Sequence, residues 1–238
     1  KYPMAGMDSE NVRVGIYNFK TSKTVYLSTP NLPYDSYLTN ISWTPDASKL
    51  LVQVLDRSQK NMSMNIYSAS NGKLMKTLFT EHNEKFIEPS DPVYFLEDSP
   101  NVFIYRTDNR DGYKNLYLCD LNGNIRRLTE TDADVQYVAN DGKHVWYTSA
   151  EVSPVENHLF RISIKKTGKG WKFGKPEQLT HESGWHDITM SPDCKHFVDS
   201  FMLETFFFFM RNTEGRKIAN SDLTNFMNSK HKNDLHDV

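Results

Sequence analysis

Apolar and polar residues alternate with a period of two along most of this chain, and the alternation restarts after every short polar turn. Val12, Val14, Ile16 and Phe19 with Val25, Tyr26 and Leu27 predict a hairpin around Thr21-Ser22-Lys23. A longer unit follows: Ile41-Ser42-Trp43, then Leu50 to Leu55, then Met62 to Tyr67, then Lys73 to Phe79. Two further units repeat that order. Val93-Tyr94-Phe95 leads to Val102-Phe103-Ile104-Tyr105, Asn115-Leu116-Tyr117-Leu118 and Asn124 to Thr129, while Val135 to Val138 leads to His144 to Tyr147, His158 to Ile162 and Lys175 to Thr180. A fourth offers Asp187 to Met190, His196-Phe197-Val198, Phe206 to Met210 and Arg216-Lys217-Ile218. The Asn71-Gly72 pair predicts a type I′ hairpin, whose two central residues both need φ above zero, and Asn122-Gly123 falls at the same place in the next unit.

An aspartate marks the first turn of each unit: Asp46, Asp98, Asp141 and Asp193, at spacings of 52, 43 and 52 residues. That is the length of a four-stranded propeller blade rather than of a helical repeat. Recurrence makes these carboxylates turn-formers bonding their own following backbone, not acid catalysts. The predicted fold is all-β: a partial β-propeller of about four and a half four-stranded antiparallel blades with a short C-terminal helix. The half blade spans 1–35 and the blades about 38–80, 90–130, 134–181 and 186–220; Ser221 or Asp222 is an N-cap candidate for a helix and tail over 221–238. A blade buries both faces against neighbours, so an incomplete ring leaves open faces and edges. Other polypeptide completes it, or a homodimer does.

Composition narrows the function classes. Formal net charge is -2 with 24% charged residues, so no polyelectrolyte character points to nucleic acid. The densest lysine run (Lys165, Lys166, Lys169, Lys172, Lys175) reads as a solvated, glycine-punctuated hairpin. No stretch reaches the roughly 18 apolar residues of a membrane helix; the longest, Phe201 to Met210, is interrupted by Glu204 and Thr205. The chain opens on Lys1-Tyr2-Pro3, which suggests an excised piece of a longer protein. Cys119 and Cys194 read as partly buried thiols rather than a disulfide or metal site.

Several segments, taken in order, resemble the N-terminal propeller of the dipeptidyl peptidase IV branch of the prolyl oligopeptidase family, especially its bacterial members. They are Tyr2-Pro3-Met4-Ala5-Gly6 with Asn11 and Val12, then Lys85-Phe86-Ile87-Glu88-Pro89 with Pro92 and Phe95, then Arg110-Asp111-Gly112-Tyr113-Lys114-Asn115-Leu116-Tyr117. Glu151 to His158, and Glu182-Ser183-Gly184-Trp185-His186 with Ser191-Pro192-Asp193, complete the series. Asn115 stands where the family usually has His, and the run around Phe206 and Phe207 stands where it tends to carry Pro. The resemblance implies the C-terminal half of the propeller of a periplasmic or secreted serine exopeptidase that releases X-Pro or X-Ala dipeptides. It implies gating and substrate positioning here, a peptide substrate, and an α/β-hydrolase domain in the same polypeptide as partner. No Gly-x-Ser-x-Gly and no Glu-Glu pair occurs in the chain, so neither the nucleophile elbow nor the paired glutamates that hold a substrate amine are in it. The chain by itself is expected to be inactive, with no catalytic residue, metal or cofactor.

Phe86 is the candidate substrate-binding residue, since the resemblance places an aromatic there against the substrate pocket; core packing between blades is the other reading. Lys85 and Glu88 beside it are either peptide contacts or exposed loop charge. His181 and His186 are five residues apart around Gly184, which does not fit the i, i+4 spacing of a zinc helix. His186-Asp187 lacks a serine partner, so structural hydrogen bonding is expected of it. Asn40-Ile41-Ser42 and Asn61-Met62-Ser63 match the glycosylation pattern. A TolB-like module for protein–protein contact is the alternative function, suggested by Trp43-Thr44-Pro45-Asp46 and Ser191-Pro192-Asp193.

Overall fold

The computed structural model describes residues 11–30, 32–202 and 206–212, the last seven and Met202 by their backbone. The predicted C-terminal helix, the fourth unit's last strand and the Tyr2 to Gly6 segment lie outside the described residues. Every regular element among the described residues is a strand. The chain divides into two units, Lys1–Glu130 and Thr131–Val238.

In the first unit, β1 (Gly15–Asn18) and β2 (Lys23–Tyr26) form a two-stranded sheet. β3 (Tyr37–Trp43), β4 (Lys49–Leu55), β5 (Asn61–Ser68) and β6 (Leu74–His82) form a four-stranded antiparallel meander, and so do β7 (Tyr94–Leu96), β8 (Ser99–Thr107), β9 (Asn115–Asp120) and β10 (Ile125–Arg127). In the second unit, β11 (Val135–Asn140), β12 (His144–Ser149) and β13 (His158–Thr167) are followed by an outer strand in two pieces. These pieces, β14 (Gly170–Phe173) and β15 (Glu177–Gln178), both pair with β13. β16 (Trp185–Met190), β17 (His196–Met202) and β18 (Phe206–Asn212) form the last sheet. Strands joined in chain order into separate small antiparallel sheets are the form of propeller blades.

β4 shows why each sheet needs neighbours on both sides. Residues Leu50 to Leu55 are all buried, and successive side chains enter different cores. Leu50, Val52 and Val54 join Leu27 and Tyr67, with Val14 and Ile16 packed alongside. Leu51 and Leu55 join Met62, Met64 and Ile66 together with Ile87, Val93, Phe103, Tyr105 and Tyr117 of the next segment. Period-two geometry sends alternate residues to opposite faces, so a strand buried at six successive positions, the polar Gln53 included, needs two covered faces. In the second unit Trp146, Leu159 and Leu179 meet Cys194 and Phe197 in the same manner.

The repeated aspartate turns are built nearly alike in Thr44-Pro45-Asp46-Ala47 and Ser191-Pro192-Asp193-Cys194. The hydroxyl donates to the aspartate at 2.6 Å from Thr44 and 2.7 Å from Ser191, and accepts the backbone N–H of Lys49 (3.1 Å) or His196 (3.0 Å). Ala47 and Cys194 both take the left-handed conformation, at φ 53° and 54°. Hydrogen bonds from Thr44 and Ser48 hold the Asp46 carboxyl below its usual range, and those from Ser191 and the Lys195 backbone do the same for Asp193. Asp141 accepts from the N–H groups of Lys143 and His144. Asp98 differs: β7 and β8 are joined by two residues, and its carboxylate makes no hydrogen bond among the described residues.

The glycine turns correct the type I′ expectation. At Asn71-Gly72 only Gly72 has positive φ (69°), and Gly72 N–H closes onto Ser68 O at 2.9 Å. At Asn122-Gly123 Gly123 has φ 93°, and its N–H bonds Asp120 O at 3.0 Å. These are longer loops closed by one left-handed glycine, the three- and four-residue alternatives to the two-residue hairpin. Packing explains the glycine. A Cβ on Gly72 would lie 2.2 Å from Tyr26 O, and one on Gly123 2.5 Å from Leu78 O, so each turn sits directly on the preceding sheet's backbone.

Candidate functional site

The loop between β6 and β7 is irregular yet tied down along its length. Asn83 N–H donates to Lys60 O at 2.9 Å and Ile87 N–H to Gln59 O at 2.7 Å, the chain's β4–β5 turn acting as a backbone anchor. Asn40 and Gln53 side chains donate to Pro89 O and Asp91 O, each at 2.9 Å, and Arg106 bridges to Asp91 at 2.6 Å. The anchors explain the side-chain directions. Ile87 is 5% exposed in the shared core, whereas Phe86 is 55% exposed. The core role considered for Phe86 therefore belongs to its neighbour, and Lys85 and Glu88 are exposed with Phe86. Asn40 and Asn61, the two glycosylation candidates, use their amides internally, Asn61 donating to Asp56 at 2.6 Å.

Beside this loop stands a cluster that sequence reasoning did not assemble. Glu81, at the end of β6, has a side chain only 2% exposed. One carboxylate oxygen accepts Arg110 Nε–H at 2.8 Å; the other accepts Tyr105 OH and Thr107 Oγ1, both at 3.0 Å. The guanidinium lies 5.8 Å from the Phe79 ring centre and 5.7 Å from that of Tyr117. Asp111, next in the turn, is engaged by Tyr117 OH and by Arg127 at 3.3 Å. Hydrogen bonds from Asn83 to Asn109 (2.8 Å) and from Asn109 to His82 O (3.2 Å) place this turn alongside the Phe86 loop. Burial pushes the Tyr105 hydroxyl well above its usual range, with the Glu81 charge adding to it, so it stays a donor.

A second buried cluster lies in the other unit. His186 Nδ1 is 2.8 Å from Asp199, both side chains fully buried, and its Nε2 donates to Glu182 O at 2.7 Å. The carbonyl can only accept, so Nε2 carries a hydrogen and a further proton lies between Nδ1 and the carboxylate. The ring stacks on Phe201 at 4.7 Å and lies 5.2 Å from that of His158, which bonds Glu156 at 3.0 Å. Asp187, the sequence neighbour, is exposed and does not pair with His186. Among the described residues no group of three His, Cys, Asp or Glu side chains is placed to hold a metal ion. Cys119 and Cys194 are buried and not joined in a disulfide, and burial drives the Cys119 thiol far above its ordinary range.

A protein from Bacteroides ovatus ATCC 8483, described as a dipeptidyl aminopeptidase IV, matches with TM-score 0.77 and 29% identity over 91% of this chain and 33% of its own. Dipeptidyl peptidase 4 of Porphyromonas gingivalis matches in fold with TM-score 0.76 and 23% identity, over 92% of this chain and 31% of its own. The chain thus spans about one third of the length of these structures. The family model for the dipeptidyl peptidase IV N-terminal region matches residues 1–204. With blade-form sheets and that match together, the chain belongs to the dipeptidyl peptidase IV N-terminal region family and is a partial β-propeller.

Proposed function

We infer that this chain is the substrate-positioning, non-catalytic propeller portion of a serine-type dipeptidyl peptidase exported from a bacterial cell. The α/β-hydrolase domain supplying the nucleophile lies elsewhere in the same polypeptide, and the substrates are peptides with Pro or Ala second from the N-terminus. The observation that carries this reading is Phe86. An anchored loop holds an aromatic ring 55% exposed while its neighbour Ile87 takes the core position. A ring presented by a tied loop suits one wall of an apolar side-chain pocket. Among the described residues β1 and β2 form a two-stranded sheet, against four strands in β3–β6 and in β7–β10, and Tyr17, Phe19 and Tyr26 are exposed on and beside it, which supports continuation of the propeller by adjoining polypeptide.

The test is steady-state release of p-nitroaniline from Gly-Pro-p-nitroanilide by the full-length protein containing this chain. Phe86→Ala is expected to raise KM several-fold with a smaller change in kcat, the signature of lost ground-state binding. An unchanged KM would remove Phe86 from the pocket.

A further inference from the structure

We propose that Arg110 is a carboxylate-binding arm, held ready by Glu81, for an acidic side chain or C-terminal carboxylate of a peptide lying along the 83–89 loop. The Glu81 carboxylate is fully occupied: Tyr105 and Thr107 take one oxygen and Arg110 Nε the other. The ring faces of Phe79 and Tyr117 flank the guanidinium. Nε is thereby used, yet the two Nη groups make no hydrogen bond among the described residues, and the side chain is 32% exposed. The carboxylate next in sequence, Asp111, is already committed to Tyr117 and Arg127.

Arginine presents a rigid planar fork, and the unused Nη edge is the geometry that a carboxylate accepts. Fixing the side chain beforehand removes most of the ordering cost that a flexible surface arginine meets on binding. A tie between strands would be complete with the Nε bond; it does not require a further pair of unbonded donors on a partly exposed side chain. The Asn83–Asn109 bond ties the turn that carries Arg110 to the loop that carries Phe86. That the ligand is a peptide rests on the function proposed above, whereas the anion chemistry rests on the cluster itself.

The experiment follows the Arg110 Nε–Hε resonance of the 238-residue chain. The probes are Gly-Pro-Glu-Gly-amide and its Gln counterpart, then Gly-Pro-Gly-Gly as free acid and as amide, and inorganic phosphate. At least one carboxylate-bearing peptide should shift the resonance saturably and bind about tenfold or more tighter than its neutral counterpart; the arm responding names the carboxylate's source. Arg110→Gln should abolish that preference. Because that variant leaves Glu81 buried without its partner, Arg110→Lys and Glu81→Gln accompany it. Lysine keeps the charge and loses the fork, and glutamine keeps an acceptor and loses the charge, so both should weaken binding several-fold while circular dichroism stays native. Equal affinity for charged and neutral peptides, or binding undiminished in folded Arg110→Lys and Glu81→Gln, would overturn the proposal. Phosphate binding as tightly as the peptides would overturn the carboxylate assignment. Peptidase activity of the full-length protein is read separately, so either idea can fail without the other.

Discussion

In the first unit a buried carboxylate, Glu81, grips an arginine whose side chain is partly exposed; in the second, Asp199 grips a histidine with no exposed side-chain surface. Both clusters solve the same problem, since a buried charge is tolerated only when paired and hydrogen-bonded. They differ in what remains afterwards. His186 spends Nδ1 on Asp199 and Nε2 on a carbonyl, which leaves nothing to offer a ligand. Arg110 spends one donor of five and keeps its outer edge. A sealed cluster can only hold the fold, whereas an open one can also recognise something.

That contrast should be largest in stability. Asp199→Ala strands a buried histidine and should cost about 3–5 kcal/mol by urea unfolding. Asp199→Asn, which can still hydrogen-bond the ring, should cost less. Glu81→Ala leaves two buried hydroxyls without their acceptor but an arginine still in contact with water, so about 1–3 kcal/mol is expected from the same measurement. Equal losses at the two sites would erase the distinction between sealed and open.

A smaller effect concerns acid-sensitive stability in the turns. Asp56, Asp120 and Asp193 sit in turns whose hydrogen bonds hold their carboxyls below the ordinary 3.8. A depressed folded value means stability is fully present above the unfolded value and lost as pH falls through the folded one. Unfolding free energy should therefore decline below about pH 4, and Asp193→Asn should flatten part of that decline. The smallest change is Ala47→Gly. At φ 53° the Ala Cβ is strained, so glycine should raise stability by about 1 kcal/mol, read as a higher Tm.

Strand order and the blade repeat were legible because local alternation and turn residues encode them. The pairings within both clusters were not. Glu81 and Arg110 are 29 residues apart, and nothing in Phe79-Thr80-Glu81 distinguishes an inward carboxylate from a solvated one. Arg110-Asp111-Gly112 was visible only as part of a family fingerprint. The sequence neighbours His186 and Asp187 invite pairing, but adjacent residues on a strand face opposite ways. In the β16–β17 register His186 stands opposite Phe201, so Asp199, two residues along, shares its face. Phe86 was legible as a candidate, while its exposure followed from backbone anchors at Gln59 and Lys60 that no local pattern reveals.

The most direct test of the account compares the 238-residue chain with the full-length protein in release of p-nitroaniline from Gly-Pro-p-nitroanilide. The full-length protein is expected to release p-nitroaniline and the chain to release none above the blank. Turnover by the chain, or none by a folded full-length protein, would contradict it.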